Sequence, residues 1–199
     1  MPALRISIDE THVLTVSADG LDLVDVRVSA TKVESDLAAV EVHGGSYSKP
    51  DESRFLFWLE HRPLQAGQRV SVEFSQDGES SWPGKTVEEL YPDEQAETEE
   101  TQSPFPSREA MLDQLTLRAH EHDQLSCKVN LPTRSVEAKT EPEEHGYAFG
   151  VSWHSHRPDR ARVSLHTYSI ESMRLNENGV YHVQESLSFG ESVSLEVGA

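Results

Sequence analysis

The chain reads as a succession of short stretches in which apolar residues recur at every second position. Leu4, Ile6 and Ile8 alternate with Arg5 and Ser7. Asp9-Glu10-Thr11-His12 then turns the chain into Val13-Leu14-Thr15-Val16, and Asp19-Gly20 closes that unit. Val24, Val26 and Val28 alternate next, followed by Val40 and Val42, by the apolar run Phe55 to Leu59, and by Val70, Val72 and Phe74. Further on the same period marks Leu125, Cys127, Val129 and Leu131, then Val163 and Leu165, then Val180 to Val183 after Asn178-Gly179, and finally Val193, Leu195 and Val197. A period of two places alternate side chains on opposite faces of a strand. Many short strands separated by turn residues predict an all-β sandwich or small barrel. Pro106 to Leu115 is ambiguous, because Ser107 could cap a helix there.

Comparison of the chain with itself suggests a duplication. Trp58-Leu59-Glu60-His61-Arg62-Pro63 reappears as Trp153-His154-Ser155-His156-Arg157-Pro158, and Arg69-Val70-Ser71-Val72 as Arg162-Val163-Ser164-Leu165. Val26 to Ala30 aligns with Leu115 to Ala119, and Leu37 to Val42 with Leu125 to Leu131. These blocks keep their order at offsets of 88 to 95 residues, as a repeated domain would. The expectation is therefore two tandem, internally duplicated β-sandwich-like domains, 1–88 and 108–199, joined by a linker over 89–107. The second alignment also draws 106–115 towards a strand.

The linker changes the picture of charge. Between 88 and 106 stand Glu88, Glu89, Asp93, Glu94, Glu97, Glu99 and Glu100 with no basic residue, a composition that cannot bury a core. Over all 199 residues, 35 acids against 17 bases give a net charge of −18, which excludes a general surface for nucleic-acid backbones. No stretch approaches a membrane-spanning length, and the first ten residues resemble no secretory leader. One cysteine, Cys127, rules out an intramolecular disulfide framework, so the composition predicts a soluble, cytoplasmic protein.

Alternation places Leu56 and Trp58 towards the interior, like Val151 and Trp153, and leaves Phe55, Phe57 and Leu59 facing outwards. Three large apolar side chains on an outer face mark either a buried layer or a partner surface. Trp82, in the polar loop Gly78 to Gly84, is either a lid on the core or an anchor for a partner.

Catalytic signatures are weak. The segment Gly78 to Thr86 has five residues between its glycines where a phosphate loop needs four. Arg174 stands where the first ligand of a calcium loop would be, in a region expected to form a hairpin. No Gly-x-Ser-x-Gly is present, His43-Gly44-Gly45 reads as a turn, and Cys127 reads as a buried hydrophobe. His120-x-His122 and His154-x-His156 would each set two imidazoles on one strand face, and together could bind Zn²⁺ or Cu²⁺, with His145, His166 or His182 nearby. The W-x-x-H-R-P element itself is most simply structural.

An enzyme is not expected, nor a cofactor. In size, acidity, β content and lack of a leader, the chain resembles the cytosolic immunity proteins that neutralise secreted bacterial nuclease toxins. That resemblance implies a non-enzymatic inhibitor whose partner is a basic protein, bound by acidic residues (Asp93, Glu94, Glu97, Glu99, Glu100) and apolar anchors (Phe55, Phe57, Leu59, Trp82), with no nucleic acid or membrane partner. The competing expectations are a metal-binding β-protein that uses His120, His122, His154 and His156, and an adaptor module in a larger assembly.

Overall fold

The computed structural model describes residues 1–48, 53–92, 107–177 and 179–198. Twelve strands run in chain order. The first six are β1 (Ala3–Ile8), β2 (Thr11–Ser17), β3 (Leu23–Thr31), β4 (Ala38–Ser46), β5 (Arg54–Leu64) and β6 (Arg69–Ser75). The second six are β7 (Ser126–Asn130), β8 (Ser135–Lys139), β9 (Gly146–His154), β10 (Arg160–Tyr168), β11 (Val180–Ser188) and β12 (Ser192–Val197). Short helices α1 (Val87–Leu90), α2 (Arg108–Leu117) and α3 (Ile170–Arg174) lie between them. The strands form two six-stranded antiparallel sheets. Sheet A has the order β2-β1-β6-β12-β7-β8 and sheet B the order β11-β10-β9-β3-β4-β5. The all-β expectation holds, and the alternation is the reason: Leu4, Ile6, Val26, Val40, Val72, Phe149, Val163, Leu165 and Leu195 all point into one interior and are fully buried.

The duplication is present, but its register is not the one the W-x-x-H-R-P blocks suggest. Each half supplies three strands to each sheet, and the halves join where β6 pairs with β12 and β3 with β9. Adding 123 to a residue number carries one half onto the other. Ala38 faces Leu64 across β4 and β5, and Ala161 faces Leu187 across β10 and β11. The register shift at Val42/His43 recurs at Leu165/His166. Gly67 and Gly190 both take left-handed φ, +81° and +82°, at the turns entering β6 and β12. At the joins, Ser71 pairs with Ser194 and Arg27 with Gly150, each residue opposite its own equivalent, as a two-fold axis requires.

Two expectations are corrected here. The halves are not separate tandem domains, because both sheets and a single hydrophobic cluster run through them. Trp58 and Trp153 are not equivalents either. Trp58 lies inside β5, whose strand continues through His61, Arg62 and Pro63, whereas Trp153 is the penultimate residue of β9 and Ser155 to Pro158 form a turn. Pro63 is tolerated in β5 because that strand is an edge.

Residues 108–117 form helix α2 rather than a strand, and the Ser107 hydroxyl accepts from the Ala110 amide at its start. Local capping chemistry, not the supposed repeat, decides that segment. The segment that follows α2 closes the end of sheet B near the β3–β4 turn. Arg118 donates to Glu34 and to the Val33 carbonyl, and the Glu121 amide donates to the Lys32 carbonyl. The buried Lys32 ammonium donates to the carbonyls of Glu141 (2.8 Å) and Pro142 (3.3 Å).

Candidate partner-binding edge

Strand β5 is one edge of sheet B, and its alternation holds from Phe55 to Trp58. Beyond the register shift that follows, Leu59 lies opposite the buried Val42 and packs against the core instead of facing outwards as expected. Trp58 turns inwards and is buried, whereas Phe55 on the other face is 38% exposed. Phe55 and Phe57 meet edge to face at 4.9 Å, and the His43 ring of the neighbouring β4 lies 5.2 Å and 6.1 Å from them. Aromatic pairs of this geometry hold one another in fixed positions and expose a rigid apolar surface. His43 therefore belongs to a strand, not to the turn expected from His43-Gly44-Gly45.

The segment after β6 returns to the same edge. Phe57 and Lys85 exchange two backbone hydrogen bonds, each 2.8 Å, which occupies part of the β5 ladder. Trp58 and Trp82 exchange two more: each indole N–H donates to the other's carbonyl, at 3.2 and 3.3 Å. Gly84 permits the close approach, since a Cβ there would stand 2.9 Å from the Leu56 side chain and 3.0 Å from the Trp58 ring. Helix α1 follows, closed by a reciprocal capping box between Thr86 and Glu89. Trp82 is thus a lid fastened to Trp58 that still leaves 41% of its surface exposed. Phe57, Leu59, Glu60, Trp82, Lys85 and Leu90 line a cleft of about 300 Å³. Of the residues expected to meet a partner, Phe55, Phe57, Leu59 and Trp82 are brought to one edge, while Asp93, Glu94, Glu97, Glu99 and Glu100 lie outside the described residues.

A polar row continues from this patch across the outer face of sheet B. Cross-strand register puts Asp25 opposite His43 and Arg27 opposite Glu41. The His43 Nε2 stands 3.6 Å from an Asp25 carboxylate oxygen. Burial pushes the Asp25 carboxyl up to about 6, with Arg27 and His154 opposing that rise and Glu41 adding to it. Burial also holds His43 below the ordinary histidine value, with Glu41 opposing and Arg27 assisting. Sequence reasoning missed this pair, because Asp25 and His43 become neighbours only through the β3–β4 register.

The two His-x-His pairs are not brought together. His120 and His122 lie in the loop after α2, where the His120 ring is 5.9 Å from His145, just before β9. His154 and His156, 5.3 Å apart, lie at the far end of β9. That strand's nine residues separate the pairs by about 30 Å. Among the described residues no three His, Cys, Asp or Glu side chains converge as metal ligands would. Cys127 is buried, and burial pushes its thiol up to about 12, so it behaves as the hydrophobe its alternation suggested. The segment around Arg174 is flanked on one side by α3, not by a second hairpin strand, and α3 is only one turn long. Among the described residues no helix is long and apolar enough to cross a membrane. No family model, no curated protein and no solved structure matches this chain.

Proposed function

We propose that the chain is a non-enzymatic, cytoplasmic binding protein that docks its β5 edge onto a basic protein, as an inhibitor of the immunity-protein kind. One observation carries the reading: an aromatic edge in which Phe55 and Trp82 are exposed and Phe57 is half-buried between them, on a chain of net charge −18. Exposed Trp and Phe beside a preformed cleft are the residue types that dominate binding energy once a partner excludes water. The chain's overall negative charge steers a cationic partner and repels acidic ones. A nuclease, whose own cleft must attract phosphates, has the complementary charge.

The test is affinity capture from the native cell, with the wild-type chain and the Trp82→Ala and Phe57→Ser variants as parallel baits, followed by titration of the purified partner. A single basic protein is expected, bound one to one, with affinity falling about 30-fold or more in each variant. Association should slow steeply as salt rises. An acidic or neutral partner, or a basic one bound equally well by both variants, would refute the reading. If the partner is a nuclease, its turnover should stop at one equivalent of this chain.

A further inference from the structure

At the opposite end of sheet B from helix α2, the β9–β10 turn and the strands beside it enclose a second cavity, of about 530 Å³. Its lining includes His154, His156, Arg157, Arg160 and Arg162. Three of the chain's 17 Lys and Arg therefore fall within six residues and into one recess. The cross-strand neighbours of Arg162 are Ser152 and Ser186, two hydroxyl side chains that give the guanidinium room and add donors of their own.

The charge balance of the recess is positive. Glu185, its one acidic lining residue, pairs with Arg134 at 2.6 Å, and Asp159 pairs with Arg160 at 3.1 Å. Arg157 and Arg162 make no ion pair among the described residues. Two uncommitted guanidiniums match a doubly charged anion, and their planar forks suit tetrahedral oxygens.

The duplication shows that this charge is particular to the second half. At positions 123 residues earlier, His154, His156, Arg157, Arg160 and Arg162 correspond to Thr31, Val33, Glu34, Leu37 and Ala39. That end of the first half is occupied by the chain itself, through Arg118 on Glu34 and the 120–122 loop on Lys32. The same place in the second half stays open and carries cations instead.

We propose that the recess at the β9–β10 turn is a binding site for a small phosphate-bearing anion, gripped by Arg157 and Arg162 with His154, His156 and the Ser152 and Ser186 hydroxyls around it. The site lies away from the β5 edge and does not depend on that edge's function.

Titration with inorganic pyrophosphate, followed by calorimetry and by the imidazole resonances of His154 and His156, tests it. The expected result is saturable one-to-one binding that shifts both imidazoles. Arg162→Gln and Arg157→Gln should each weaken it about 10- to 100-fold, the loss of a hydrogen bond between charged partners, and Arg5→Gln on sheet A should leave it unchanged. Arg157 and Arg162 are both exposed, so thermal melts of the variants should match wild type. Absence of saturable binding, or equal weakening by Arg5→Gln, would overturn the proposal. So would a dicarboxylate such as succinate binding as tightly as pyrophosphate.

Discussion

Replacing Asp25 with Asn should stabilise the protein at neutral pH, and the gain should itself titrate. Asp25 lies on the outer face of sheet B beside His43, where lost hydration outweighs the help of Arg27 and His154 and its pKa rises from 3.8 to about 6. The folded state thus holds this proton more tightly than the unfolded chain does. Below 3.8 the carboxyl is protonated in both states and carries no penalty. Between 3.8 and about 6 the unfolded chain ionises while the folded state holds its proton, so stability falls by about 3 kcal/mol in all and levels off once the folded carboxyl, in its poorly hydrated place, has ionised too. Asparagine keeps the shape without the charge and escapes that loss. The Asp25→Asn variant should therefore match wild type near about pH 4 and exceed it by about 3 kcal/mol by about pH 8, or about 6–12 °C in Tm for a chain of this length. Urea unfolding of both proteins across that range gives the difference directly. A variant less stable than wild type at the upper end, or a gain that does not change with pH, would refute the reasoning.

The fused sandwich predicts that Leu14→Ala in the first half and Leu187→Ala in the second each cost about 2–5 kcal/mol and shift the same single calorimetric transition, since both leucines are buried in one core. Two separate transitions would contradict that. Gly67→Ala and Gly190→Ala should each cost about 1–2 kcal/mol, nearly equally, because both have left-handed φ and open space where a Cβ would go. Asp22, which accepts from the Tyr47 and Ser48 amides and from the Ser48 and Ser155 hydroxyls, is held well below the usual carboxylate range. Asp22→Ala should lower Tm at neutral pH, and the deficit should shrink as the pH falls below 3.8 towards the folded value. Cys127 should react with a disulfide reagent only as fast as the protein unfolds, and rapid labelling in native buffer would refute its burial.

Strand existence was legible in the chain because one buried face imposes a period of two, and Val26, Val40, Val72, Val163 and Leu195 all lie where alternation put them. The outward placement of Phe55 and Phe57 followed from the same rule. The register of the duplication was legible too, but elsewhere. Leu64-x-x-Gly67-x-x-Val70-Ser71-Val72-Glu73 recurs as Leu187-x-x-Gly190-x-x-Val193-Ser194-Leu195-Glu196, a signal spread thinly over small and aliphatic residues. The W-x-x-H-R-P blocks are louder, because Trp, His and Pro are rare, yet their likeness has no structural counterpart. Trp58 donates to the carbonyl of a distant loop residue, Trp82, while Trp153 donates five residues ahead, to Pro158. The β9–β10 recess and the Asp25–His43 contact were out of reach, since both depend on which strands lie side by side.

The joins at β3–β9 and β6–β12 have a consequence for any shorter form of this protein. The geometry is that of a closed homodimer written on one chain, in which each contact across the axis occurs twice. A fragment cut between the halves would keep six strands but lose the ladder partners of two of them at once, one in each layer. Such a piece would recover those hydrogen bonds by pairing with its complement or with a second copy of itself.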